Sequence, residues 1–177
     1  EFLDFLVGCC FVIGRDSYGS PFRQTPIWGS MELVKYLRNV DNEKPPVVLF
    51  SHLEQTSRYT SEPPRDLAVW LEGTLATGGS WWDCTFVGQH PGIAHDRRNI
   101  GIVQKYSALH KQREHMFTRA KDLADVAVVF SCKSQDRFGS DETQDDNYVA
   151  AVRGWEQVLW ENHVPFTLIP DSCLKAG

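Results

Sequence analysis

The chain has 177 residues, of which 42% are apolar and 23% charged, the make-up of a soluble globular protein with material for one good core or parts of two. A net charge of −5 leaves no basic excess to neutralise phosphates, which argues against a general nucleic-acid binder. The five cysteines, Cys9, Cys10, Cys84, Cys132 and Cys173, are odd in number and form no C-x-x-C pair, so neither a zinc knuckle nor a disulfide framework is indicated, and reduced thiols in a cytoplasmic protein are expected.

In chain order, residues 5–13 are apolar apart from Gly8 and predict a buried strand. The opening lacks both an initiator Met and the basic start of a signal peptide, and its apolar run is too short and too broken by Asp4 to span a bilayer. The expectation is a chain that begins inside a longer protein, with no membrane partner. Residues 14–21 form a loop rich in turn formers, in which Arg15, Asp16 and Tyr18 could face a ligand from a strand end. Ser30 is a suitable N-cap for a helix over 31–39, whose Leu33, Val34 and Leu37 make a short apolar stripe. A turn at 41–46 then feeds an apolar run rich in β-branched residues, Val47-Val48-Leu49-Phe50, which suits a strand buried on both faces.

After that strand come Ser51, His52 and Glu54, then a polar loop to Pro64 that also holds Arg58, Tyr59 and Glu62. A connection of this length is usually functional. A helix is predicted over 65–77, with Leu67, Leu71, Thr74 and Leu75 on one side, Pro64 in its first turn and Gly78 as a left-handed cap. Ser80-Trp81-Trp82-Asp83 opens the next strand. Strand, helix, strand is a crossover unit of a parallel sheet, and such sheets gather their chemistry at the carboxyl ends of the strands. That edge would carry Ser51, His52 and Glu54 from one strand and Asp83 from the next, with Gln89 and His90 beyond. His90 and His95 lie five apart in a Pro/Gly loop without zinc spacing, so no metal is expected, and no cofactor either.

A long helix is predicted over 99–118, with Ile102, Tyr106, Leu109 and Met116 on its stripe and His110 and His115 at its wet boundary. The chain then restarts. Residues 125–131 read as an apolar strand of parallel-sheet type, 132–147 as a solvated acidic loop, 148–162 as a helix with Tyr148, Val152, Trp155 and Leu159 on one side, and 166–169 as a second strand. No glycine-rich turn follows the first of these strands, so a nucleotide role is not indicated. A boundary is placed near 119–124.

The order of these segments resembles glycoside hydrolases related to the family 42 β-galactosidases, in which a (β/α)₈ barrel is followed by a flavodoxin-like trimerisation domain. Leu53-Glu54-Gln55-Thr56-Ser57 is similar to the family's segment around the nucleophile at the end of the seventh barrel strand, and Leu75-Ala76-Thr77-Gly78-Gly79-Ser80-Trp81-Trp82 to the entry into the eighth. Residues 125–131 and 164–171 are similar to the first two strands of the trimerisation domain. The resemblance implies an α/β chain in which 1–120 is the end of the barrel and 121–177 the start of the flavodoxin-like unit. It implies a retaining, β-galactosidase-like hydrolase acting on carbohydrate, with Glu54 as candidate nucleophile (Glu62 second) and His52, Arg58 and Trp82 as substrate-binding residues. The parent would be a homo-oligomer, possibly a trimer. In two respects the chain departs from the family pattern. The acid/base Glu belongs to a region that the chain does not contain, so the chain alone is expected to be inactive, and the Phe-x-Trp near the eighth strand is only partly echoed by Phe86-Val87-Gly88.

Two other readings compete. In one, the same architecture serves as a non-catalytic sugar-binding or oligomerisation module. In the other, Cys132 after a strand marks a cysteine-dependent amidotransferase-like domain, although the nucleophile-elbow glycines and an activating His are missing.

Overall fold

The computed structural model describes residues 6–9, 26–50, 63–83, 97–117, 120–138 and 147–174, with backbone only at 6–9, 50 and 147. The architecture is mixed α/β, with two parallel sheets. The first contains β1 (Leu6–Cys9), β2 (Pro46–Phe50) and β3 (Ser80–Asp83) in the order β1-β2-β3. Val47 pairs with Val7 on one side and Ser80 on the other. The connections carry α1 (Gly29–Val40) and α2 (Pro64–Ala76), and α3 (Ile100–Phe117) follows β3. The second sheet pairs β4 (Val126–Phe130) with β5 (Phe166–Pro170), and α4 (Cys132–Phe138) and α5 (Asn147–Glu161) lie between them.

A parallel sheet whose strands lie in sequence order, joined by right-handed crossovers, places its helices on one side. The packing follows this rule, because α2 touches both α1 and α3. The core between helices and sheet is built from Val34 of α1, Val48 of β2, Leu67, Trp70, Leu71 and Leu75 of α2 and Tyr106 of α3. Burying each large apolar side chain here contributes roughly 1.5–3 kcal/mol. α1 and α2 approach so closely that a Cβ on Gly73 would lie 2.8 Å from the Met31 Cγ.

Helix α2 ends as its sequence predicts. Gly78 takes φ +81°, its N–H donates to the Leu75 carbonyl at 2.9 Å, and the Gly79 N–H donates to the Thr74 carbonyl at 2.9 Å. This double bond is the Schellman arrangement, and it needs a residue that tolerates the left-handed region. Helix α5 ends the same way, with His163 N–H on Trp160 and Val164 N–H on Leu159, but here a histidine adopts φ +54°.

Four local expectations are corrected. Ser30 is not the cap of α1, which begins at Gly29 with no side-chain cap. Ser30 is fully buried, and its hydroxyl donates to the Trp70 carbonyl at 3.1 Å, joining α1 to α2. The stripe of α3 does not run through Met116, which is exposed. The inward side runs through Tyr106, His110 and Phe117, so Leu109 is exposed as well and the His110 ring packs against Trp81 and Phe117; the helix kinks at Arg113. Residues 132–138 are helical rather than loop, because Ser131 caps them by accepting the Ser134 N–H at 3.2 Å. Strand β4 is half-exposed, with Val126 and Val129 each 37% accessible, since among the described residues only β5 pairs with it.

Replacing His163 by Gly should stabilise the protein by about 1 kcal/mol, because a side chain in the left-handed region carries a steric cost that glycine avoids. Urea denaturation would read this as a higher midpoint with unchanged slope.

Candidate functional site

The carboxyl edge of the first sheet is where the sequence places its chemistry. Strands β2 and β3 end there at Phe50 and Asp83, which are in register. Of the four expected site residues, His52, Glu54 and Arg58 lie outside the described residues, as do Glu62, Gln89 and His90. Trp82 is described. Its neighbour Trp81 packs among the helices, so the alternation of a strand turns Trp82 to the opposite face, in register with Leu49. There it is 53% exposed. The face away from the helices thus presents Val47, Leu49 and an open indole, one residue short of the carboxyl edge.

A second constellation was not among the sequence expectations. Trp28, Glu32, Arg153 and Glu156 meet where α1 packs against α5. Glu156 is completely inaccessible. Its Oε2 accepts the Trp28 indole N–H at 3.3 Å, and Oε1 has no hydrogen-bond partner among the described residues. The Arg153 guanidinium pairs with Glu32 at 3.5 Å. Burial, reinforced by the negative field of Glu32, pushes the Glu156 carboxyl up to about 8, against the opposing pull of the Trp28 hydrogen bond, Arg153 and Lys35. Glu32 is also raised, by burial above all, with Arg153 acting to lower it. At neutral pH Glu156 is therefore a neutral acid between an indole and a guanidinium–carboxylate pair. The predicted stripe of α5 is out by one position at this point: Trp155 is 67% exposed, and the acid beside it is buried. An acidic residue in phase with Val152 was the available signal.

A third group lies at the carboxyl edge of the second sheet. The Ser131 hydroxyl donates to Asp171 Oδ2 at 2.8 Å, and its backbone N–H donates to the Tyr148 hydroxyl at 2.7 Å. The Cys132 thiol lies 3.4 Å from the Tyr36 hydroxyl. Burial, then the hydrogen bond to Cys132 and the charges of Cys132, Asp171 and Cys173, push Tyr36 up to about 12. A phenol that holds its proton this firmly cannot deprotonate Cys132, so the contact gives a cysteine nucleophile no base.

No family profile and no curated protein matches the chain. Among the described residues there is no group of three or more His, Cys, Asp or Glu placed to hold a metal ion, and no helix is long and apolar enough to cross a membrane.

The buried acid sets a pH dependence. A carboxyl that binds its proton more tightly when folded contributes stability below the unfolded value, near 4.5, and that contribution is lost as pH rises through about 8. The stability of the wild type against denaturant should fall between pH 5 and pH 9. Glu156→Gln, which keeps the shape and the acceptor for Trp28, should flatten the profile and be the more stable form at pH 9.

Proposed function

We propose that this chain belongs to a glycoside hydrolase built on a (β/α)₈ barrel, β-galactosidase-like and retaining, with a flavodoxin-like unit after residue 120. The observation that carries the reading is the strand order. Three parallel strands in sequence, with the described helices of that unit on one face, are what a singly wound barrel wall requires. A doubly wound sheet reverses its order and places helices on both faces. A second parallel sheet after α3 agrees with the appended unit.

In this reading the helix-free face is the inner one, and Trp82 offers a flat apolar platform near its carboxyl rim, suited to the ring face of a sugar. Glu54 follows the end of β2 by four residues in sequence. Its role is attack on the anomeric carbon. A second carboxyl about 5–5.5 Å away would protonate the leaving oxygen and then activate water. In this reading His52 and Arg58 hold substrate hydroxyls. The carbohydrate is the partner, and the appended unit serves assembly.

In the full-length parent, Glu54→Gln should lower turnover of an aryl β-galactoside on the order of 10³-fold or more while leaving the circular dichroism spectrum unchanged. Full turnover in that variant would remove Glu54 from the chemistry. A parent that binds galactosides but never hydrolyses them would favour the non-catalytic sugar-binding module, to which an exposed Trp82 is equally suited.

A further inference from the structure

A cleft of about 660 Å³ opens at the amino edges of both sheets, away from the rim discussed above. One wall comes from the end of α1 and the turn into β2, another from the glycine cap of α2, and a third from residues 120–123 and the start of β5. Its volume is in the range of small-molecule sites.

The electrostatics of this cleft run against those of the chain. Lys35, Arg38, Lys44 and Lys121 line it, with Glu43 and Asp122 as the acids, in a protein whose net charge is −5. Asp122 is already taken, since its carboxylate pairs with Lys35 at 3.4 Å. Arg38 donates to two carbonyls, those of Thr77 and Ala120, so its charge has no carboxylate partner there. Lys44 reaches Asp41 only at 4.0 Å and is 43% exposed. Lys121 is exposed and pairs with no described residue. Three cations thus face one uncommitted carboxylate, Glu43. Asn42 and Ser80, whose side chains bond no other described residue, add neutral groups for hydroxyls.

We propose that this cleft binds a small phosphomonoester, its phosphoryl group drawn by Lys44 and Lys121 with Arg38 behind them and its hydroxyls met by Asn42 and Ser80. Lysine ammoniums suit a phosphoryl group as compact point charges, and a partly enclosed concave site strengthens them relative to open water. The proposal does not depend on the glycosidase reading, because the cleft lies at the opposite ends of the strands. A ligand seated there would touch both sheet units at once.

Titration calorimetry of the full chain with glucose 6-phosphate, inorganic phosphate and glucose tests this. Glucose 6-phosphate should bind in the millimolar range or tighter and weaken with added sodium chloride, while glucose should give no heat. Weaker binding of inorganic phosphate is expected, because it lacks the hydroxyl contacts; equal affinity would overturn the assignment to a phosphomonoester. Lys121→Glu and Lys44→Glu, both changes at exposed positions that leave the fold intact, should each weaken binding about tenfold. Absence of heat with both phosphates at 10 mM (~ the weak end of specific small-ligand binding), or equal binding by the two variants and the wild type, would overturn the proposal.

Discussion

Helix α1 is shared by the two sheets, and the structure depends on its having two different faces. One face is apolar and close-fitting: Val34 and the buried Ser30 lie against α2 and β2. The other is polar and meets β5. Lys35 donates to the Phe166 carbonyl at 2.5 Å, and Asn39 donates to the Leu168 carbonyl at 3.0 Å and to the Thr167 hydroxyl at 2.8 Å. Four residues of helix rise about 6 Å and two residues of strand about 6.6 Å, so side chains at i and i+4 can serve alternate carbonyls of a neighbouring strand. A strand edge left open would invite pairing with another chain, and α1 covers this one. Lys35 also lies over the Phe166 ring, which packs edge-on against Trp160.

The same face continues toward the amino end of α1 through Glu32 and Trp28 to α5. There the joint changes character, from a cation and an amide on carbonyls to a protonated acid held by an indole. A charged Glu156 in that position would be only partly compensated by Trp28, Arg153 and Lys35 for its lost water, and the neutral form needs less. The joint is therefore largely polar, with the Tyr36 ring set edge-on to Phe130 as its aromatic contact with β4.

Much of the first sheet unit was legible because its signals are local and agree with one another. Leu67, Leu71, Thr74 and Leu75 share one side of α2, Gly78 ends it, and Val48 sits in an apolar run; all have the predicted burial or geometry. The errors arose where a distant contact decided the outcome. Ser30 is a good cap by type, but Trp70 offered its hydroxyl a buried carbonyl. Trp155 fits an apolar stripe, but the start of α1 brought Trp28 to Glu156 and Glu32 to Arg153, and tertiary pairing overrode periodicity. Of the candidate site, Trp82 alone is placed, on the open face; Glu54, His52 and Arg58 lie outside the described residues, so sequence remains their only warrant.

The polar joint also bears on how such a chain is made. Ser30 meets Trp70 across 40 residues, whereas Asn39 meets Leu168 across 129. The longer closure costs about 1 kcal/mol more in chain entropy, and its reward arrives only once β5 exists. During synthesis at 5–20 residues per second, α1 waits on the order of 10 s for its second partner. A greasy surface left bare for that interval would recruit other nascent chains. A row of lysine, asparagine and glutamate is content in water until the strand arrives.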